Sequence, residues 1–196
     1  MKIIFATKNE GKVREAQKIL DSDKIELVTM TRAGINDDIV EDGTTFAENA
    51  RKKAMEIMKI SGLPAIADDS GLEIDFMDKK PGVYSARFMG HDTPYEFKNK
   101  KILEMMKDVP EEKRTARFVS AVCLAMPDGR LIEEEGTIEG IIGYEIKGSN
   151  GFGYDPIFYI PELKKYSAEL SLEEKNLISH RGKAMRAVKN RIMELI

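Results

Sequence analysis

Residues 115–142 read TARFVSAVCLAMPDGRLIEEEGTIEGII. A β-rich run from Thr115 to Met126 is cut by Pro127-Asp128-Gly129-Arg130 and followed by a second extended run from Leu131 to Ile142, so the segment predicts a long β-hairpin. A hairpin pairs its strands antiparallel. Strands and helices alternate on either side of it. Lys2 to Ala6 is a short β-rich run, and TKNEGK leads from it into VREAQKIL, whose Val13, Ala16, Ile19 and Leu20 recur at helical spacing. Ile25 to Val28 is a second strand, residues 31–43 are polar and turn-rich, and Phe46 to Ile60 is a helix capped by Thr44 or Thr45. PAIADDSGLEIDF (64–76) reads as an apolar strand, an acidic turn and an alternating strand, before a loop at KKPGVYSARF (79–88). Tyr95 to Met106 is the next helix, GSNGFGYDP (148–156) is a glycine-rich loop, and a last helix runs from about Ser179, its expected cap, to the end. That helix carries Ala184, Ala187, Val188, Ile192 and Leu195 on one stripe. The pattern predicts an α/β fold around a mixed, twisted sheet with a long central hairpin. No linker divides the chain, so a single domain is expected over residues 1–196.

Composition narrows the functional classes. The chain has 196 residues, 42% of them hydrophobic, enough to bury one sizeable core. Its 31 basic and 34 acidic residues leave a net charge of -3, and no basic stripe runs along any segment, so nucleic acid is not an expected partner. The apolar runs are far shorter than the roughly 20 residues that span a bilayer, and no membrane association is expected. The run after Met1 lacks the marks of a secretory signal. Cys123 is the only cysteine, which excludes an internal disulfide and suits a reducing cytoplasm.

Four constellations carry residue types suited to chemistry. Thr7, Asn9 and Lys12 stand where a strand gives way to a helix, so unpaired backbone N–H groups and the helix dipole favour an anion there. Lys12 adds a point charge, and Thr7 and Asn9 add neutral hydrogen bonds to phosphate oxygens. The glycine spacing of a Walker A loop is absent. Glu41 and Asp42, with Asp68-Asp69-Ser70-Gly71, form an acidic set matching the demand of Mg²⁺ for one or two carboxylates plus water and phosphate oxygens. Asp69, at the expected strand end, is placed to accept a proton from an attacking water. Gly151 and Gly153 flank Phe152, leaving the backbone open to a flat ligand and the ring able to stack on a base, while Tyr154 faces either ligand or core. Lys175, Ser179, His180 and Arg181 cluster at the last helix start, where cations oppose the dipole and an anionic or carbonyl-bearing ligand would account for them. Each segment alone also has a plain structural reading: a capped helix with an exposed lysine, a polar turn, an aromatic plugging a core gap, or a cap beside two surface cations.

In order along the chain, ATKNEGKVREA, EDGTTFAENARKKA, AIADDSGLEID with PGVYSARF, GFGYDPIF and AELSLEEKNLISHRGKA closely resemble the inosine-triphosphate pyrophosphatase family over nearly the whole length. Lys8 stands where many relatives have glycine. The resemblance implies that Thr7, Lys8, Asn9, Glu10, Gly11 and Lys12 hold phosphates, that Glu41 and Asp69 bind Mg²⁺, and that Asp69 is the catalytic proton acceptor. It implies that Ser70 touches substrate, that Phe152, Gly153, Tyr154 and Asp155 cradle the base, and that Lys175, His180 and Arg181 complete nucleotide recognition. It further implies an elongated two-lobed α/β structure with the nucleotide in a cleft, a homodimer, and hydrolysis of non-canonical purine nucleoside triphosphates (ITP, dITP, XTP) to monophosphate and pyrophosphate. Two rivals use the same residues: a metal phosphatase releasing terminal phosphate, and a nucleotide-sensing protein without turnover.

Overall fold

The computed structural model describes residues 1–195. Its elements are β1 (Lys2–Phe5), α1 (Glu10–Leu20), β2 (Glu26–Thr29), α2 (Phe46–Ser61), β3 (Ala65–Ile74), β4 (Lys80–Pro81), α3 (Tyr95–Met105), β5 (Thr115–Ala125), β6 (Leu131–Ile142), β7 (Phe158–Ile160), β8 (Lys165–Tyr166), α4 (Leu172–Ile178) and α5 (His180–Met193). The strands form one sheet in the order β2-β1-β3-β5-β6-β7-β8, with β4 against β3. β1 pairs parallel with β2 and β3, whereas β6–β7 and β7–β8 are antiparallel, so the sheet is mixed as the hairpin predicts.

Local chemistry accounts for the helix starts. Asn9 caps α1 by accepting from the Lys12 amide. Thr45, rather than Thr44, caps α2 in a reciprocal box with Glu48, which satisfies two of the orphan amides of the first turn. Gly62 ends α2 in a left-handed conformation.

The chain divides into two compact units, each assembled from separated stretches. The first comprises residues 1–70, 120–136 and 180–196, and its core joins Ile3, Phe5 and Ile66 of the sheet to Val13, Ala16 and Leu20 of α1 and Ala184, Met185 and Val188 of α5. Gly136 lets β6 approach α5, because a Cβ there would overlap the His180 carbonyl. The second unit comprises residues 71–119 and 137–179, with a core of Leu72, Ile74, Ile102, Phe118, Ile142, Tyr154 and Phe158. Arg114 is buried there and donates to the carbonyls of Met106, Val109, Ile142 and Gly143.

Two expectations need correction, and one helix is added. Asp68–Gly71 is not a turn: β3 runs unbroken from Ala65 to Ile74, its acidic centre satisfied by cations and an amide brought from α1, α2 and α5. The last helix starts directly after Ser179 as expected, but Ser179 also ends a separate helix, α4, that the pattern does not give. Leu195 lies beyond α5 and is exposed, so the apolar stripe stops at Ile192.

Candidate functional site

The acidic centre of β3 organises the first unit. Side chains alternate across a strand, so Asp68 and Ser70 point one way and Asp69 the other. Asp68 is wholly buried, and its Oδ2 accepts from Arg181 Nε at 3.0 Å and Ser70 Oγ at 3.3 Å, with Lys12 Nζ 3.2 Å away. Its Oδ1 is buried without a hydrogen-bond partner among the described residues. Burial alone would raise the Asp68 pKa, but Lys12, Arg181 and Lys53 outweigh it and hold the carboxyl well below its ordinary value. Arg181 also donates from Nη1 to Glu15 at 2.5 Å and from Nη2 to Ser70 Oγ at 2.7 Å. Burial acts to lower the Arg181 pKa, yet Asp68 and Glu15 hold it above the usual arginine value.

Asp69, on the opposite face of the strand, is nearly as buried. Asn49 Nδ2 donates to its Oδ2 at 2.9 Å and the Ser70 amide to its Oδ1 at 3.0 Å. Burial pushes the Asp69 pKa up and Glu41 adds to this, against the pull of Lys53 and Lys12. Lys53 ties the acids together: its Nζ donates to Glu41 at 2.5 Å and to the Asp68 carbonyl at 2.8 Å, and lies 3.9 Å from Asp69 Oδ1. Glu15, Glu41, Asp68 and Asp69 thus meet Lys12, Lys53 and Arg181 in one cluster.

The turn before α1 reaches the same cluster through Lys12, whose pKa burial lowers against the raising influence of Asp68. Thr7 Oγ1 accepts from the Asn9 amide at 3.2 Å, Glu10 is exposed in the first turn, and Gly11 is buried beneath it. Lys8 turns elsewhere, binding Asp38 at 2.7 Å and the Asn36 carbonyl at 2.9 Å. His180 is buried at the first position of α5. Arg181 uses one N–H of each of its three nitrogens on Asp68, Glu15 and Ser70.

The second unit holds the glycine-rich loop. Asp155 is its anchor: Oδ2 accepts from the Phe152 amide at 2.8 Å and Lys175 Nζ at 2.6 Å, and Oδ1 accepts from Ser167 Oγ at 2.8 Å. Gly151 has φ +74°, and a Cβ there would overlap Asp155 Oδ2, so both conformation and space require glycine. Lys175 Nζ sits 5.0 Å from the Phe152 ring centroid, a cation–π contact that holds the half-buried ring. The Gly153 carbonyl accepts from Asn99 at 3.0 Å. The Tyr154 ring faces the core, donating to the Ser85 carbonyl at 2.8 Å and packing edge-on to Tyr95 at 5.1 Å.

Three members of the first cluster lie within the quoted motifs but carry no role in the sequence reading: Glu15, Asn49 and Lys53. Each is a polar residue within the buried face of an amphipathic helix, and Asn49 and Lys53 are one turn apart on α2. A polar residue on a core-facing stripe is the signal that finds them.

Among the described residues no group of three or more His, Cys, Asp or Glu side chains has metal-holding geometry. Two carboxylates meet the usual protein share of a Mg²⁺ site, so the Glu41 and Asp69 oxygens, both against Lys53, fit that ion.

Comparison with known proteins places the whole chain in one family. Residues 3–191 match the Ham1 family. A dITP/XTP pyrophosphatase of Desulforamulus reducens is 47% identical over 186 residues, covering 95% of this chain and 92% of the relative. One from Thermus thermophilus is 48% identical over 188 residues, covering 96% and 90%. Among solved structures, the Ham1 protein of Staphylococcus aureus aligns over 100% of both chains at 35% identity with a TM-score of 0.89. A HAM1 protein from Coxiella burnetii aligns over 99% of both at 39% identity, also with a TM-score of 0.89. With nearly its full length matched by the family model, by relatives and by solved structures, the chain belongs to the Ham1 family.

Proposed function

We propose that this protein hydrolyses non-standard purine nucleoside triphosphates (ITP, dITP and XTP) to the monophosphate and pyrophosphate, clearing deaminated purines from the nucleotide pool. The observation that carries the reading is the convergence of Glu41 and Asp69 on Lys53 beside an Asp68 that also holds Lys12. Acids suited to a divalent cation and lysines suited to phosphate oxygens share one cluster. The names of the relatives, dITP/XTP pyrophosphatases, supply the substrate class.

Glu41 and Asp69 are the proposed Mg²⁺ ligands. When bound, that ion supplies charge neutralisation on the phosphate oxygens. Thr7, Lys8, Asn9, Glu10, Gly11 and Lys12 form the phosphate-binding turn, with the N-terminus of α1 contributing backbone donors and Lys12 the positive charge. Asp69 accepts the proton of the water that attacks the α-phosphorus; burial, which raises its pKa, strengthens it as a base relative to an ordinary carboxylate. Pyrophosphate leaves with its charge met by the lysines, so positioning and electrostatics dominate the catalysis. Asp68 and Ser70, gripped by Arg181, brace the strand that carries Asp69.

Phe152 stacks on the base, with Gly153, Tyr154 and Asp155 shaping the loop and Lys175 fixing it. Inosine and xanthosine present a hydrogen-bond acceptor at purine position 6 where adenosine presents a donor. A donor from His180 or Arg181 separates them, and a mispaired group at a buried site is rejected by roughly 10⁴. The protein acts as a cytoplasmic homodimer in this reading. No described helix is long and apolar enough to cross a membrane.

Phosphorus NMR with Mg²⁺ and, separately, ITP, XTP, GTP and ATP tests the function. Pyrophosphate and monophosphate from ITP and XTP, far faster than from ATP or GTP, is the expected result. Inorganic phosphate with diphosphate would identify a terminal phosphatase, and tight binding without turnover a sensor.

A further inference from the structure

We propose that Asn49 is a positioning residue that sets the separation of the Glu41 and Asp69 carboxylates, an inference that rests on the metal-binding role assigned to that pair above. Asn49 is wholly buried on α2, and a carboxamide offers both a donor and an acceptor. Its Nδ2 donates to Asp69 Oδ2 at 2.9 Å, and its Oδ1 accepts from the Gly43 amide at 2.8 Å. One side chain therefore grips the catalytic strand with one end and the loop carrying Glu41 with the other.

The two grips have different consequences. The bond to Oδ2 fixes the rotation of the Asp69 carboxylate, leaving Oδ1 on the side of Lys53. The bond from Gly43 fixes a backbone point two residues from Glu41, within roughly 7 Å along an extended chain. Lys53, one helical turn further along α2, then meets both acids from the same rigid element. Gly43 is part of the device. A Cβ there would come within 2.7 Å of Asn49 Oδ1 and 2.9 Å of Glu48 Cβ, so only glycine lets the loop approach closely enough for its amide to reach Asn49. Partners that orient metal ligands in this way change metal affinity by about 10–100-fold when removed. Asparagine suits the task better than aspartate, because a carboxylate against Asp69 would add repulsion where the amide supplies a donor.

The test is Mn²⁺ binding to the protein alone, read from the electron paramagnetic resonance signal of the free ion. It compares wild type, Glu41→Gln, Asn49→Ala and Gly43→Ala, each checked for its melting temperature and studied well below it. Asn49→Ala and Gly43→Ala are each expected to weaken Mn²⁺ binding by about tenfold or more. Gly43→Ala leaves both side chains of the metal pair and Asn49 itself in place, so it decides the matter even if Asn49→Ala fails to fold. Wild-type Mn²⁺ affinity in both variants, with affinity lost in Glu41→Gln, would overturn the positioning role and leave the metal site standing. Wild-type affinity in Glu41→Gln as well would remove the metal from Glu41 and take the inference down with it.

Discussion

Replacing Lys175 with methionine keeps an unbranched side chain, one atom shorter, and removes its charge from the Asp155 carboxylate, 2.6 Å away. Both residues are at most 5% exposed, so water cannot take over the lost contact. Removing one partner of a buried ion pair costs about 3–5 kcal/mol. Asp155 retains the Phe152 amide and the Ser167 hydroxyl, each at 2.8 Å. Hydrogen bonds to a charged group are worth about 1.5–3 kcal/mol each, so the lower end, about 3 kcal/mol, is expected. For a chain of this length that corresponds to a melting temperature lower by roughly 6–12 °C. Asp155→Asn should cost a similar amount, because its amide would turn a donor toward Lys175 or the Phe152 amide. The double variant should then lose about 2 kcal/mol less than the sum of the singles, the mark of a direct pair. Urea unfolding of the four proteins measures this cycle. Singles that simply add, or a Lys175→Met melting temperature within about 2 °C of wild type, would show that the pair does not anchor the loop.

Asp69→Asn should lower turnover by at least about 10²-fold, the range for loss of a general base. Both Asp69 oxygens accept hydrogen bonds, from Asn49 Nδ2 and the Ser70 amide, so the amide of the variant turns a donor toward one of them and the melting temperature should fall as well. Near-normal turnover would remove Asp69 from the mechanism. Phe152→Ala should weaken nucleotide binding by about 1–3 kcal/mol, measured as the dissociation constant for ITP; an unchanged value would mean that the ring serves only the loop. Burial pushes the Cys123 thiol up to about 12. The native protein should therefore resist iodoacetamide at pH 8 and react once unfolded in urea. A folded-state pKa above the unfolded value means that its contribution to stability is complete below about pH 9 and lost as pH rises toward 12. Native alkylation as fast as unfolded would contradict this burial.

Sequence pattern carries most of the fold, and the reasons for its failures are local. The hairpin, the strand–turn–helix at the amino end and the Thr45 cap are written in contiguous residues, where periodicity and capping chemistry act. Asp68-Asp69-Ser70-Gly71 misleads because turns favour these residue types, whereas their burial in a strand depends on Lys12, Lys53 and Arg181 arriving from elsewhere in the chain. β7 and β8 escape the pattern because three and two residues give no period to read. At the site, Lys12, Asp69 and Phe152 are visible as motif residues. Glu15 and Arg181 are not visible as a pair, since their contact spans 166 positions. Tyr154 is assigned to the core only by its hydroxyl on Ser85, a partner that sequence spacing cannot name.

The division of the first unit into residues 1–70, 120–136 and 180–196 bears on how the protein is made. Synthesis proceeds from the amino end, and domains complete themselves as their parts emerge. Lys12, Glu15, Lys53, Asp68 and Asp69 are all present long before the chain reaches Arg181, yet Asp68 and Glu15 acquire their shared guanidinium only when α5 arrives. A nascent or truncated chain that stops short of α5 therefore carries the acidic strand without the helix that packs against α1 and neutralises it. The acidic cluster is completed late in synthesis, and a fragment ending before Arg181 lacks the finished site.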